Sequence, residues 1–164
     1  MSVTMQTTVR QVATARPLYT PQQRSRRDAT VWTVVQGIMA PIQFAVFVVS
    51  LVLVLRFMAT GDGYHAATVS IILKTACLAV IMVTGAIWEK IVFGQYLFAP
   101  SFFWEDVFSF AVIALHAAYV WGLGTGAIGP DTLMLLTLAA YATYLINATQ
   151  FLLKLRQARL DAAP

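Results

Sequence analysis

The chain has 164 residues, of which 59% are hydrophobic and only 11% are charged. Soluble domains usually carry about 25% charged residues, so this composition excludes an ordinary soluble protein and favours a polytopic membrane protein. The formal charge of +4 comes from the residues before position 31, where the charged side chains are Arg10, Arg16, Arg24, Arg26, Arg27 and Asp28.

The first predicted segment, residues 1–29, is a basic arm without the apolar stretch of a secretory signal peptide. We expect this arm to be disordered and to touch anionic membrane lipid at the cytoplasmic face, not nucleic acid. Its arginine and threonine content also resembles that of an organellar transit peptide, which is the less favoured alternative.

Four long apolar runs follow the arm. A helix needs about 20 apolar residues, at about 1.5 Å per residue, to cross roughly 30 Å of hydrocarbon. The runs predict spans at about 31–56, 66–89, 103–122 and 132–153 in one membrane domain, residues 30–156, with a short tail at 157–164. Because lipid cannot satisfy open backbone groups, the predicted fold is all-α, a bundle of four transmembrane helices.

The distribution of basic residues predicts the orientation of this bundle. Lys90, between the second and third spans, and the basic residues of the C-terminus lie at the same end as the arm. Basic residues that flank spans stay in the cytoplasm, so we expect both termini to be cytoplasmic. Arg56, at the opposite end, is the exception to this pattern.

Polar residues within the spans are predicted to meet at one depth, near the cytoplasmic ends of the helices. The set consists of Gln36, Glu89, Glu105, Asp106, Asn147 and Gln150. Polar groups are costly in lipid and usually face the bundle interior or water, so these residues are candidates for a functional site.

A purely structural role for the same carboxylates remains open. Glu105 and Asp106 in the first turn of a helix complement its positive dipole end, and Glu89 with Lys90 suits an interfacial anchor. Neighbouring residues on a helix point about 100° apart, so Glu105 and Asp106 cannot both face one cavity. Glu105 is the better inward candidate because His116 returns to nearly the same direction.

Aromatic residues and one histidine complete the candidate set. Trp88 and Trp104 near the cytoplasmic boundary suit an aromatic belt or, alternatively, a slot for a flat amphipathic ligand. His116 and Lys74 are expected toward the far side, where a lone histidine is more often hydrogen-bonded than metal-bound. The two histidines of the chain lack metal-site spacing, so no protein metal site is predicted.

Three stretches resemble 3-vinyl bacteriochlorophyllide hydratase. They are GIMAPIQFAVFVVSLVLVLRF (37–57), GAIWEKIVFGQYLFAPSFFWEDVFSFAVIALHAAY (85–119) and YATYLINATQFLLKLRQARL (141–160). The resemblance covers the whole membrane portion and leaves out only the arm before about residue 30. It implies an enzyme of bacteriochlorophyll synthesis that adds water across the C3 vinyl group of a chlorophyllide-type ring, giving a 3-(1-hydroxyethyl) product. It transfers no catalytic residues.

Such a hydration needs an acid that protonates the terminal vinyl carbon and a base that takes a proton from water. Burial and neighbouring negative charge favour the protonated form of a carboxyl group. We therefore expect Glu89 or Glu105 to remain protonated near neutrality, with Asp106 or the other glutamate as base. Of the two, Glu105 is our predicted acid.

The remaining candidates are predicted to bind the substrate. Asn147 and Gln150, with Gln36 at the same depth, would position water or hydrogen-bond the keto and carboxyl groups of the ring. Trp88 and Trp104 would pack on the macrocycle, and His116 is a candidate ligand of the pigment magnesium, although it lies deep.

No redox or nucleotide cofactor is expected, because the magnesium ion belongs to the substrate. The expected partners are the magnesium tetrapyrrole, membrane lipid and other enzymes of pigment synthesis. Two other functions remain open, a non-enzymatic tetrapyrrole carrier or sensor and an assembly subunit of photosynthetic complexes.

Overall fold

The computed structural model describes residues 17–161, and this part of the chain is helical, with no strand. Five helices follow one another in the chain: α1 (Pro21–Ala29), α2 (Val31–Thr60), α3 (Tyr64–Phe93), α4 (Phe103–Thr125) and α5 (Pro130–Leu160). The last four are long and apolar enough to cross a membrane, which confirms the predicted all-α bundle of four spans.

The long helices extend beyond the predicted spans because their ends are defined by caps and glycines, not by hydropathy. Thr30 caps α2 by accepting a hydrogen bond from the Trp32 backbone N–H. Gly61 (φ 76°) ends α2 and Gly94 (φ 88°) ends α3, both in the left-handed conformation that glycine adopts without strain. Polar residues just outside the apolar runs therefore still belong to the helices.

The bundle consists of two helical hairpins. Helix α2 packs along α3 and α4 packs along α5, whereas α3 with α4 and α2 with α5 meet over smaller areas. Phe47, Leu78, Val112 and Tyr141, one from each long helix, lie in the shared apolar core. The hairpins thus form one bundle. The interface between the two hairpins, here called the seam, is smaller than the interfaces within them.

The expectation of a disordered arm is wrong for residues 17–29, whereas residues 1–16 lie outside the described part of the chain. Thr20 caps α1 with a capping box, in which its side chain accepts from Gln23 N–H and the Gln23 side chain accepts from Thr20 N–H. Leu18 and Tyr19 are each 6% exposed and pack in an apolar cluster with Phe102. Burial of apolar surface thus orders a segment whose composition is polar.

Contacts with the C-terminal end of α5 hold this segment in place. The backbone N–H of Leu18 donates to Asp161 Oδ2 (2.9 Å), and Arg24 Nη2 donates to the Asp161 carbonyl (2.9 Å). Tyr19 lies under the Arg27 guanidinium, 4.8 Å from the ring centroid, and burial raises the pKa of its phenol to about 12. The two described ends of the chain therefore lie at one end of the bundle, as the even number of spans predicts.

Candidate functional site

The carboxyl groups of Glu89 and Asp106 meet where α3 ends and α4 begins. Glu89 is 3% exposed and Asp106 is 9% exposed, and their carboxyl groups lie close enough to interact with each other. Neither carboxyl oxygen of Glu89 accepts a well-aligned hydrogen bond from a donor within residues 17–161, and the Ala99 backbone N–H makes only a looser contact. Because two carboxylates cannot donate to each other, this contact is a hydrogen bond only when one of them carries a proton.

The connection between α3 and α4 is organised around Asp106. The backbone N–H of Phe98 donates to Asp106 Oδ2 (2.6 Å). Phe98 has φ 61°, a left-handed conformation that is uncommon for a residue with a bulky side chain. Its ring stacks on Phe110 with centroids 5.5 Å apart, which helps to hold this strained turn beside the carboxylate pair.

Glu105 is buried on a different side of α4 and pairs with α5. Its Oε1 lies 3.6 Å from Lys154 Nζ, and the Glu105 side chain is 6% exposed. Lys154 Nζ also donates to the Ser101 carbonyl (2.6 Å). Glu105 and Asp106 thus face different neighbours, as their adjacency on the helix predicts, and Glu105 has a cation beside it whereas Glu89 has a second carboxyl group.

The sequence reasoning missed Lys154 as a site residue and used it only to orient the bundle. The signal was present, because Lys154 lies four residues after Gln150 and seven after Asn147, so one face of α5 carries all three. The Ser101 hydroxyl donates to the Leu18 carbonyl (3.0 Å), and the N-cap position of α4 belongs to Phe102.

The predicted amide side chains occupy two places around the carboxylates. Asn147 Nδ2 donates to Ser109 Oγ (2.9 Å), one turn beyond Glu105, so Asn147 lies between α4 and α5. Gln36 Nε2 donates to Thr84 Oγ1 (2.7 Å) between α2 and α3. The oxygen atoms Asn147 Oδ1 and Gln150 Oε1 are buried and have no protein partner in the described part of the chain. These oxygens are free to accept hydrogen bonds from water or a ligand.

The two tryptophans separate into inner and outer positions. Trp88 is half-buried, donates from Nε1 to Thr33 Oγ1 (2.9 Å) and meets the Phe102 ring edge-on at 5.6 Å. Trp104 is 64% exposed on the outer surface. Trp88 therefore belongs to an aromatic cluster inside the bundle, one residue before Glu89 in the chain, whereas the position of Trp104 suits the aromatic belt.

His116 lies apart from the carboxylates, deeper in the bundle. Its Nδ1 is 2.8 Å from the Val112 carbonyl, and the side chain is 1% exposed. Lys74 is also completely buried, with its ammonium 3.6 Å from the centroid of the Tyr144 ring. The far-side placement of His116 and Lys74 agrees with the sequence analysis.

Taken together, the arrangement can hold and move protons at the end of the bundle that α1 covers. Glu89 and Asp106 form a buried acidic pair, and Glu105, adjacent to Asp106, is kept beside a cation. The aromatic cluster around Trp88 lies at the same end of the bundle. This combination suits acid–base chemistry on an apolar, flat substrate at the membrane boundary.

Comparison with known proteins agrees with this chemistry. The family model for 2-vinyl bacteriochlorophyllide hydratase (BCHF) matches residues 19–157. A protein of that name from Rhodobacter capsulatus is 70% identical over 147 residues, which cover 89% of this chain and 85% of the relative. Its namesake from Cereibacter sphaeroides is 69% identical over 147 residues, covering 89% of this chain and 91% of the relative.

No solved structure matches the chain significantly. The prefixes 2-vinyl and 3-vinyl in the names differ only in wording. Since the match includes every candidate residue from Gln36 to Gln150 and both hairpins of the bundle, the chain belongs to the 2-vinyl bacteriochlorophyllide hydratase family.

Proposed function

We propose that this protein adds water across the C3 vinyl group of a chlorophyllide- or bacteriochlorophyllide-type pigment, giving the 3-(1-hydroxyethyl) derivative. Membership of the hydratase family supports the reaction. The single structural observation that carries the mechanism is the buried contact between Glu89 and Asp106. A carboxyl pair that shares one proton is a suitable acid for protonating an alkene.

Glu89 is the proton donor in this proposal. Two negative charges in contact would repel each other, so the pair is more stable with one proton held between its members. Donation from Glu89 to the terminal vinyl carbon forms a C–H bond with the π electrons and leaves a cation on the inner carbon, which the conjugated macrocycle stabilises. Asp106 is held by Phe98 N–H as the other member of the pair.

Glu105 is the base that accepts a proton from the attacking water. Its Oε1 lies 3.6 Å from Lys154 Nζ, and this neighbouring cation supports the base role over the acid role that the sequence suggested. The water oxygen forms the C–O bond with the inner carbon while its proton passes to Glu105. Return of that proton to the Glu89–Asp106 pair restores the starting state, so one water is added and no electrons are lost or gained.

The surrounding side chains bind and orient the pigment and the water. Trp88 is the proposed wall for the macrocycle, and the free oxygens of Asn147 and Gln150 are the proposed acceptors for water. Gln36 supports the same region from α2, while Trp104 contacts lipid in place of the ring. Because the addition is redox-neutral, the proposal requires no redox cofactor.

We place the carboxylate end of the bundle at the cytoplasmic face of a bacterial inner or intracytoplasmic membrane. The basic residues of α1, Lys90 and the basic residues of α5 support this side, since such residues flank the cytoplasmic ends of spans. In this orientation, lipid surrounds the long helices and other enzymes of pigment synthesis can exchange substrate and product from the cytoplasmic leaflet.

The test is pigment conversion by variants expressed in cells that lack the native protein. Cells without the protein should accumulate 3-vinyl pigment. Glu89→Gln should reduce hydration by about 10²–10⁴-fold, the usual contribution of a general acid. Asp131→Asn is the matched control, because Asp131 is an exposed acid at the opposite end of the bundle, and it should convert pigment at the normal rate.

Two other outcomes would contradict the proposal. Normal hydration by Glu89→Gln would remove Glu89 from the mechanism. Unchanged pigment intermediates with lost photosynthetic complexes would indicate an assembly subunit, and binding of the vinyl pigment by the wild-type protein without any change of its mass would indicate a carrier or sensor.

A further inference from the structure

His116 has one ring nitrogen engaged and the other free. A carbonyl oxygen can only accept, so the contact between Nδ1 and the Val112 carbonyl (2.8 Å) requires the hydrogen to be on Nδ1. In the neutral ring, Nε2 then carries a lone pair. Nε2 is buried and has no hydrogen-bond partner among residues 17–161.

The neighbours of His116 do not use this lone pair because they are engaged elsewhere. The Lys74 ammonium faces the Tyr144 ring, with Nζ 3.6 Å from its centroid. Tyr141 packs beside the imidazole with centroids 5.9 Å apart, but its hydroxyl is 2.6 Å from Ser50 Oγ. A buried acceptor that is left open in this way can bind a ligand that the protein itself does not supply.

We propose that Nε2 of His116 is the axial ligand of the magnesium ion carried by the tetrapyrrole substrate. This inference rests on the proposed function, which supplies the pigment. A histidine whose Nδ1–H is fixed by a carbonyl and whose Nε2 is free is oriented as metal-ligating histidines are. The described residues contain no group of three or more metal-ligating side chains, so this imidazole suits a metal whose other ligands come from the macrocycle.

The placement of His116 relative to the carboxylates fits a ring lying along the bundle. Ten residues separate Asp106 from His116 on α4, a rise of about 15 Å between their backbones. Side chains lean toward the N-terminus of their own helix, and α3 and α4 are antiparallel, so Glu89 and His116 lean toward each other. A macrocycle held by its centre at His116 therefore extends its substituted edge toward Glu89.

The seam between the two hairpins is the entry route. The α3–α4 and α2–α5 contacts are smaller than those within each hairpin, so separating the hairpins disrupts the least packing. A flat ring that enters between α3 and α4 passes between the helix that carries Glu89 and the helix that carries His116.

The experiment compares a magnesium pigment with its metal-free counterpart. Purified protein in lipid nanodiscs is titrated with 3-vinyl chlorophyllide or with the same ring lacking magnesium, and pigment absorbance reports both binding and axial coordination. The wild type should bind the magnesium form roughly tenfold more tightly or better. His116→Leu should bind both forms equally, with its affinity for the metal-free ring unchanged.

Two further variants separate loss of the ligand from loss of the fold. His116→Gly should regain the preference for magnesium pigment when imidazole is added, because free imidazole can occupy the vacated position. Tyr119→Phe removes a neighbouring buried hydroxyl but keeps the imidazole, so it should retain the wild-type preference.

A full magnesium preference in His116→Leu would overturn the inference, as would equal binding of both pigments by the wild type. Neither result bears on catalysis. Conversely, a His116-dependent preference in a protein that never alters the vinyl group would remove the hydratase proposal and leave this inference standing.

Discussion

At the end of the bundle covered by α1, Glu105 and Asp106 each have a charged or hydrogen-bonding protein partner, whereas Lys74 and His116, deeper in the bundle, leave Nζ and Nε2 without one. At the covered end, Glu105 pairs with Lys154, and Asp106 accepts from Phe98 while touching Glu89. In the deeper region, Lys74 Nζ and His116 Nε2 have no hydrogen-bond partner within the described chain. Helix ends and connections supply carbonyls and N–H groups that the middle of a helix cannot offer.

This difference suggests separate roles for the two regions. At the covered end, Glu105 and Asp106 have protein partners without any ligand. The deeper region leaves open a position that a ligand can complete. Variants that remove one charge from each region should therefore behave in opposite ways.

The largest effect among these variants is expected for Lys154→Met. This substitution leaves Glu105 buried without its cation, so the rate of hydration should fall by about 10–100-fold. The free energy of unfolding should fall by about 1–3 kcal/mol, a cost between those of breaking an exposed and a fully buried ion pair. Pigment turnover and thermal unfolding in detergent measure the two effects. Arg156→Met, two residues further along α5 and exposed, is the control and should change neither.

Lys154→Arg should retain most of the activity because it keeps the positive charge. When Glu105→Gln is already present, adding Lys154→Met should reduce hydration and stability much less than Lys154→Met reduces them in the wild type. Full additivity of the two substitutions would show that the pair does not act as a unit.

A smaller effect, in the opposite direction, is expected for Lys74→Met. Lys74 is buried and forms no ion pair with a carboxylate of residues 17–161, and replacing a buried charge by an apolar side chain of similar length is often neutral or stabilising. The pigment-free variant should therefore unfold at the same temperature as the wild type or higher. A clear loss of stability would show that the contact with Tyr144 outweighs the cost of burying the charge.

The smallest effect is expected for Asp161→Ala, which removes the acceptor of the Leu18 backbone N–H. Loss of one partly exposed hydrogen bond should lower the free energy of local unfolding of residues 17–29 by about 0.5–1.5 kcal/mol, so this segment should unfold more often. Trypsin should then cut faster at the arginines of α1. Asp62→Ala, at the opposite end of the bundle, serves as control, and equal cleavage rates in both variants would exclude Asp161 as an anchor of the segment.

Much of the site was predictable because depth along a helix follows from counting residues. Glu89, Asp106 and Asn147 were expected near one level, and the structure places them in contacts between neighbouring helices there. Their partners were not predictable. Whether Lys154 faces Glu105 or solvent depends on how α5 is rotated against α4, and that rotation is decided by the packing of both hairpins.

The sequence alone determined the four apolar helices, the concentration of acids at one end and the family resemblance, because hydropathy, residue spacing and shared motifs are local properties of the chain. Only the tertiary structure decided that Glu89 meets Asp106 while Glu105 meets Lys154, that Trp88 is inside and Trp104 outside, and that residues 17–29 pack on the bundle. These outcomes depend on contacts between residues far apart in sequence, where burial of Leu18 and Tyr19 outweighs the polar character of their segment.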